Sequence, residues 1–498
     1  MFETLMVASR DRDRLTEIFT IAAGFGLSGL LSRMGLSAKA LDPDTPDLPN
    51  RARQALEKLG PTYMKLGQIL ATRRDLLNDE WVAAFEQLQS SAPQLPFSDL
   101  KAQVETSLGE PIETAFSFFD TQPLAAASIA QVHRARLTDG RDVAVKIRRP
   151  DIRPRMEADL RILRHLASLA EANSAEARRF RPISLVDQLA RDTLDELDFT
   201  HEGHNADLLR VDYADNDHII IPKIHWQWSS EAVLVMDYID GVPPRDPDIL
   251  RARHINPDAI AALGAELVLN MVLIYGRFHG DPHPGNLLCL AGNRLALLDL
   301  GSVGTVSSRR QHEFLTFIMG LQSGSASAVT DMLLHWSKDV PLSREQLLIA
   351  CERLVARHSN GPLVLSAVIA DFFPMLRQQG LVLPPDLLLV FKALITIDGV
   401  LSRIAPEFDL SAALQNMRRP LFAARFADIA RGERTQAMML ELMRIGEDAP
   451  HLLRRLSNWL DHQPNPSPKL PTDRAILRAA AMISVAILLH AAVIFWAS

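Results

Sequence analysis

The densest chemistry in this chain lies in His279-Gly280-Asp281-Pro282-His283-Pro284-Gly285-Asn286 and in Asp299-Leu300-Gly301. Asp281 and Asn286 share a tight turn rich in proline and glycine. A second carboxylate, Asp299, follows the apolar run Leu295–Leu298. One acid can accept a proton, while an amide and another acid can hold a divalent cation. Phosphoryl transfer asks for little else: charge neutralisation by Mg²⁺ and a carboxylate near the attacking oxygen.

A cation must face that charge. Val143-Ala144-Val145-Lys146 is an apolar strand ending in lysine, a residue disfavoured on a half-buried strand unless something pairs with it. Kinase-type folds use such a lysine to hold the α- and β-phosphates, braced by a glutamate from a helix. The candidate helix is Glu196-Leu197-Asp198-Phe199-Thr200-His201-Glu202. On it Asp198 and Glu202 share a face and Glu196 points elsewhere. Singly, Lys146 reads as a snorkelling residue and the acids as a solvated face; in this order and spacing they read as a site. The turn Leu124-Ala125-Ala126-Ala127-Ser128 precedes the first expected strand. Kinases place glycines there so that backbone N–H groups reach phosphates. Alanine restricts such a loop, because its Cβ disfavours positive φ.

The positioning elements form a helical region, a small sheet and a larger helical body. Helices are expected over Arg51–Leu59, Thr62–Arg74, Asn78–Gln89 and, capped by Ser98, Asp99–Leu108. Strands follow at Ile129–Leu137 and Asp142–Ile147, joined by the hairpin signal Asp139-Gly140. Helices are expected at Ala158–Ala172 and Ser184–Tyr213, then β-rich segments at His218–Ile224 and Glu231–Tyr238. Asn256-Pro257 starts a helix running to about Arg277, and from Ser307 to about Asp461 the chain is mostly helical. Near the N-terminus the apolar stretch Ile18–Leu31 contains Gly24-Phe25-Gly26-Leu27-Ser28-Gly29. This is formally a dinucleotide motif, but it lacks the second strand such a site needs, so helix packing or membrane contact reads better.

The chain has 498 residues, enough for about three domains at roughly 150 residues each. Its net charge of −7 carries no dominant basic block, which argues against nucleic acid. Cys289 and Cys351 have no metal spacing and imply a reducing compartment. No secretory signal is evident at the N-terminus. Ala479–Trp496 lacks charge, and eighteen helical residues span roughly 27 Å, close to a bilayer core. Arg474 and Arg478 before it place the large domain on the cytoplasmic side. The prolines between Asp461 and Asp473 make a stiff linker to that anchor.

Lys65-Leu66-Gly67-Gln68, Ala125–His133, Val143–Lys146, Glu196–Asp198, His279–Asn286 and Asp299–Gly301 together resemble the UbiB family of atypical protein-kinase-like proteins, over roughly residues 50–400. The resemblance implies an α+β fold: a bilobal, protein-kinase-like body with an N-terminal helical extension, here joined to a C-terminal transmembrane helix. The expected parts are an N-terminal helix and linker over 1–50, the extension over 51–118, an N-lobe over 119–241 and a helical C-lobe over 242–460. The linker over 461–473 and the anchor over 474–498 complete them. The resemblance also implies Mg²⁺-dependent ATP binding, ATPase activity and support of ubiquinone biosynthesis at a bacterial inner membrane. Membrane lipid, quinone precursors and quinone-biosynthesis enzymes are the partners it suggests; a homodimer stays open.

Carried over residue by residue, Lys146 would hold the phosphates, Glu202 brace it and Asp281 serve as the catalytic-loop acid. Asn286 and Asp299 would bind metal, and Ala125, Ala126, Ala127 and Ser128 would line the phosphates. Met236–Tyr238 would be the hinge that meets adenine, with Asp237 in place of the expected glutamate. Lys65 and Gln68 would form an inhibitory helical element, both facing one cleft, with Lys65 meeting Glu196 or Asp198. Arg74 stands where the family often has proline. Gly280 replaces the arginine that reads a phosphorylated activation loop, and no Ala-Pro-Glu segment follows Gly301, so a protein substrate is not expected.

The competing reading is a small-molecule phosphotransferase of the aminoglycoside or choline kinase type, which carries a closely similar loop. A flavin monooxygenase would require the Gly24–Gly29 turn. A metal hydrolase would require His279, Asp281 and His283 as ligands, although the two histidines read better as structural. A pseudokinase scaffold conflicts with the intact Lys146, Asp281, Asn286 and Asp299.

Overall fold

The computed structural model describes residues 11–27, 47–74, 76–88, 93–173, 178, 181–337, 343–359 and 365–408. The expected linker over 461–473 and the anchor Ala479–Trp496 lie outside them.

Helix α1, Arg12–Gly24, starts and ends earlier than the expected Ile18–Leu31. Gly26, at φ 68°, ends it in a paired turn, with the Gly26 N–H on the Ala23 carbonyl and the Leu27 N–H on the Ala22 carbonyl. A helix, not a strand, therefore precedes these glycines, and the dinucleotide reading fails on local structure.

The helical extension comprises α2 (Leu48–Leu59), α3 (Pro61–Thr72) and α4 (Asp79–Glu86). Ala52, Ala55, Ala71, Phe85 and Leu88 form its small core. Arg73 caps α3 before Arg74, so no proline is needed to end it. Next come α5 (Phe97–Leu108) and the single turn α6 (Ile112–Ala115). Pro96, not Ser98, takes the cap position of α5, and the Ser98 hydroxyl turns to Asp99 instead.

The sheet holds β1 (Phe116–Ala126), β2 (Ala130–Leu137), β3 (Asp142–Arg148) and, later in the chain, a fourth strand at Val233–Asp237, in that spatial order and antiparallel throughout. β1 was not among the expected strands and begins ahead of the lobe boundary at 119. Asp139-Gly140 makes the β2–β3 hairpin as expected, with Gly140 at φ 92°. In β3, Val143, Val145 and Ile147 are fully buried against α5 and β1. Two-residue alternation then forces Ala144 and Lys146 onto the opposite face. A one-residue slip would bury the ammonium in that core, so the valines fix the register of the lysine.

Between β3 and the rest of the sheet run α7 (Ile152–Asn173), α8 (Pro182–Glu196) and α9 (Phe199–Asp212). The single helix expected over Ser184–Tyr213 is thus two. Asp198, in extended backbone, accepts from the Thr200 N–H at 3.0 Å and caps α9. Asp198 therefore stands outside the helix whose face it was expected to share with Glu202.

β4 (Ile219–Ile220), β5 (Val233–Asp237), α10 (Pro247–Ala252) and α11 (Pro257–Asn270) lead into the C-lobe. Asn256 caps α11 as its sequence indicates, and α11 passes into a π-helical turn at Met271–Tyr275 that Gly276 closes at φ 68°. Pro257–Tyr275 is the one stretch among the described residues long and apolar enough to cross a membrane. It is a core segment: Ile260, Ala261, Ala265 and Val268 are buried within it.

The loop-bearing strands are β6 (Arg277–His279), β7 (Leu287–Leu290), β8 (Arg294–Leu297) and β9 (Val303–Thr305). β6 pairs with β9, and β4–β8–β7 form a three-stranded sheet, so Ile219 and Ile220 belong to the C-lobe sheet. Helices α12 (Ser308–Gln322), α13 (Ala326–Trp336), α14 (Arg344–His358), α15 (Leu365–Gln379) and α16 (Pro385–Ile404) complete the body. Phe314, Phe317, Phe372 and Phe391 stack at its centre.

Candidate active site

Three elements far apart in the polymer deliver one cluster. The Lys146 ammonium of β3 lies 2.7 Å from Glu202 Oε2 of α9 and 3.0 Å from Asp299 Oδ1, just beyond β8. The Lys146 and Glu202 side chains are 12% and 7% exposed, while that of Asp299 is 55% exposed. Burial alone would push the Lys146 ammonium's pKa down; the two carboxylates outweigh it and hold it above its ordinary value. The Lys146 charge draws Asp299 down to about 2. Burial pushes Glu202 up against the pull of Lys146. Asp299 also has left-handed backbone, φ 52°, an uncommon state for a residue with a Cβ and one that collects at functional sites.

The catalytic-type loop is held from inside. His279 is buried, with Nε2 against the Leu298 carbonyl at 3.1 Å and Nδ1 accepting from the Asp281 N–H at 3.2 Å. Burial keeps its pKa below the ordinary value. Both ring nitrogens are thus engaged, and His279 is a structural residue rather than a metal ligand. His283 Nδ1 accepts from the Gly285 N–H at 2.8 Å, closing the turn. Among the described residues no group of three or more His, Cys, Asp or Glu side chains is gathered for a metal, so the zinc-type hydrolase reading has no ligand set.

Asn286 Nδ2 donates to the Asp281 carbonyl at 3.1 Å, which leaves Oδ1 as the atom able to take a hard cation. The Asn286 carbonyl accepts from the Leu298 N–H at 2.8 Å, tying the loop to the segment that bears Asp299. Asp281 meets a residue that sequence reasoning missed: Lys392 Nζ of α16 lies 3.5 Å from Asp281 Oδ1. The available signal was a lone cation in the apolar run Leu387–Ile397, the same logic that marked Lys146.

A cavity of about 1350 Å³ joins these groups; Lys146, Glu202, Asp281, Asn286, Asp299 and Lys392 all line it. Met236, Tyr238 and Ala125–Ala127 line it too, but Ser128 does not. Ala125 and Ala126 end strand β1, paired with Val132 and Gln131, and Ala127 opens the turn into β2, so the segment does not lie ahead of the first strand. Its Ala127 N–H is taken by the Ala130 carbonyl, and Arg149 Nε donates to the Ala127 carbonyl at 2.9 Å. No residue from 124 to 130 has positive φ.

At the expected hinge the Tyr238 N–H already donates to the Asp142 carbonyl at 3.2 Å. That amide is therefore already engaged within the sheet. The Asp237 carboxylate binds His225 Nε2 at 2.8 Å and the Lys223 N–H at 3.3 Å, so its shortening from glutamate serves local structure.

In the helical extension Gln68 lines the cavity and donates to the Leu88 carbonyl at 3.2 Å. Lys65 does not line it; Lys65 pairs with Glu196 at the end of α8. The expectation that both would face one cleft holds for Gln68 alone. Of the two acids expected to meet Lys65, Glu196 does and Asp198 caps α9 instead.

Residues 87–333 match the ABC1 atypical kinase-like domain, and residues 359–409 match the UbiB helical domain. A protein of Xylella fastidiosa named probable protein kinase UbiB is 32% identical over 423 residues, covering 83% of this chain and 76% of the relative. One of the same name from Pseudomonas paraeruginosa is 31% identical over 426 residues, covering 84% and 80%. The solved erythromycin complex of Rv3197 from Mycobacterium tuberculosis superposes with a TM-score of 0.52 at 22% identity, over 79% of this chain and 95% of that one, a likeness of fold.

Proposed function

Since the chain belongs to the UbiB family of atypical kinase-like proteins, we propose that it binds Mg-ATP in this cleft and transfers or releases the terminal phosphate in support of ubiquinone biosynthesis. The observation that carries this reading is the ammonium of Lys146 lying between Glu202 and Asp299 at the wall of a large cavity.

Lys146 holds the α- and β-phosphates, and Glu202 fixes where it points. Asp281 accepts the proton of the attacking hydroxyl or water. Asn286 Oδ1 and the Asp299 carboxylate are hard oxygen donors facing the cavity, a set that suits Mg²⁺. When bound, Mg²⁺ would neutralise the charge that develops on the transferring phosphoryl group. The adenine lies beside Met236 and Tyr238, with a neighbouring amide such as that of Ile239 as donor. The β1–β2 turn closes with its own bonds and offers the phosphates fewer N–H groups than a glycine loop does.

The acceptor is water or a small molecule. Gln68, Phe85 and Leu88 of the extension wall one side of the cavity, and an extended peptide would have to displace them. Robust phosphorylation of an added peptide would contradict this. Lys65 and Gln68 restrain the cleft through Glu196 and Leu88. The uncharged run Ala479–Trp496 anchors the protein in a bacterial inner membrane with the kinase-like body on the cytoplasmic side; membrane fractionation with and without residues 474–498 tests it.

The central test is Asp299→Asn. It should abolish stabilisation by Mg-ATP in a thermal-shift assay while the nucleotide-free protein stays folded. An unchanged shift would remove the metal role.

A further inference from the structure

We propose that Lys392 is the cation that holds the terminal phosphate of the bound triphosphate over Asp281. This rests on reading the cleft as a Mg-ATP site.

In phosphoryl transfer the charge spreads over the oxygens of the moving group, and enzymes meet it with metal and with lysine or arginine. The segment His279–Asn286 contains neither lysine nor arginine. Lys146 is committed between Glu202 and Asp299, on the β3 side of the cleft. The loop that positions the attacking group therefore brings no cation of its own.

α16 supplies one. Leu387, Val390, Phe391, Leu394 and Ile397 bury that helix in the body, while Leu388, Lys392 and Thr396, successive turns of its other face, line the cavity. Leu389 of this helix packs beside two glycines. A Cβ on Gly280 would meet the Ser302 hydroxyl at 2.8 Å and Leu389 at 3.3 Å, and one on Gly304 would meet Phe278 at 2.5 Å and Leu389 at 2.8 Å. A longer side chain at position 280, such as the arginine ordinary kinases carry beside the catalytic aspartate, would crowd Ser302 and Leu389. Gly280 admits Leu389 there, and Lys392, one turn further on, reaches Asp281 Oδ1 at 3.5 Å. The Lys392 and Asp281 side chains remain 31% and 38% exposed to the cavity. A pair that open contributes little to folding. Stability thus gives little reason for a lysine in an otherwise apolar stretch, whereas a phosphate between the two groups does.

The test uses the full chain and compares the parent with Lys392→Ala and Lys392→Arg, measuring ATP turnover and the separate affinities for Mg-ATP and Mg-ADP. Lys392→Ala should lower kcat by about 100-fold. It should also erase the preference for ATP over ADP while ADP affinity stays within about twofold, and Lys392→Arg should restore part of both. A merely structural lysine would not discriminate by the terminal phosphate. The role is overturned if kcat stays within about threefold of the parent, or if ATP and ADP affinities fall together. A parent that binds no Mg-ATP overturns the nucleotide reading and this role with it. A parent that turns over ATP beside an unaffected Lys392→Ala variant overturns only the role of Lys392.

Discussion

Two acidic clusters show how a structural charge differs from a working one. Glu313 of α12 is 7% exposed, and both its oxygens are engaged. Oε1 accepts from Arg309 Nε at 2.9 Å and lies 2.9 Å from His335 Nε2; Oε2 accepts from Arg310 Nη1 at 2.6 Å and Trp336 Nε1 at 3.1 Å. An ionised carboxylate has about four acceptor positions, and four nitrogens stand at this one. The Lys146 cluster is the reverse. One cation serves two carboxylates, and Asp299 stands 55% exposed to a cavity, with Lys146 its hydrogen-bond partner among the described residues. The first arrangement is closed and carries surplus donors. The second carries surplus negative charge aimed at open space, a deficit that a metal and a phosphate ligand together would make good. Buried ion pairs on their own say little about function; the unfilled acceptor positions separate the two.

The largest expected effect breaks the open cluster. Lys146→Met should lower ATP turnover by about 100-fold or more, since the phosphates lose their positioning charge. Glu202 is already pushed towards its neutral form by burial, so it can take up a proton and limit the cost to the empty fold. Turnover and the nucleotide-free melting temperature measured together check both parts. The closed cluster should behave oppositely. Glu313→Ala removes the acceptor of Trp336 Nε1 and one of the two carboxylates that Arg310 binds, and should cost about 3 kcal/mol of stability. Denaturant unfolding reads that loss, while the Mg-ATP thermal shift should survive.

Much of the open cluster was legible because each member sits in a strong local pattern. Alternating valines mark β3 and set the face of Lys146, and the turn residues around Asp281 and Asn286 are confined to one short loop. Contacts across the polymer were less legible. Nothing near Lys392 points to Asp281, because the two lie more than a hundred residues apart and meet only through the tertiary packing of α16. β1 escaped because its register against β2 shifts repeatedly and Pro123 interrupts it, so no clean alternation appears. The break between α8 and α9 escaped because apolar periodicity continues through Leu197, and only the cap at Asp198 stops the helix. Glu313 carried no signal at all, since the gathering of four nitrogens around a carboxylate is a property of packing.

Acid should sharpen the contrast. Burial opposes ionisation of Glu313, but hydrogen bonds from Arg310 and Arg309 outweigh it and bring its pKa from 4.5 to about 2. The folded value lies below the unfolded one. Ionised Glu313 therefore stabilises the protein above about pH 4.5, and that contribution is lost as pH falls towards 2, about 3 kcal/mol in all. Asp299 is lowered in the same direction by Lys146, but it is more than half exposed and screened, so its share is at most about 1 kcal/mol. Across pH 4.5 to 2 the melting temperature of Glu313→Gln should fall less steeply than that of the parent, whereas Asp299→Asn should nearly track the parent. Equal slopes for both variants would erase the distinction between the clusters.

The smallest effect concerns the acid between them in character. Asp198 borders the site in sequence, yet its carboxylate accepts from the Thr200 N–H at 3.0 Å and from the Thr200 hydroxyl at 2.7 Å. That is the closed pattern again: a helix end has orphan donors, and a short side chain satisfies one. Asp198→Ala should cost about 1 kcal/mol by denaturant unfolding, while Asp198→Asn, an equally good cap, should cost a few tenths at most. Mg-ATP affinity should change less than about threefold in either, because buried Phe199 and the pair with Lys146 still place Glu202. If Asp198→Asn lost nucleotide affinity as sharply as a Lys146 variant, the charge of Asp198 would count rather than its capping geometry. Asp198 would then belong with the open cluster.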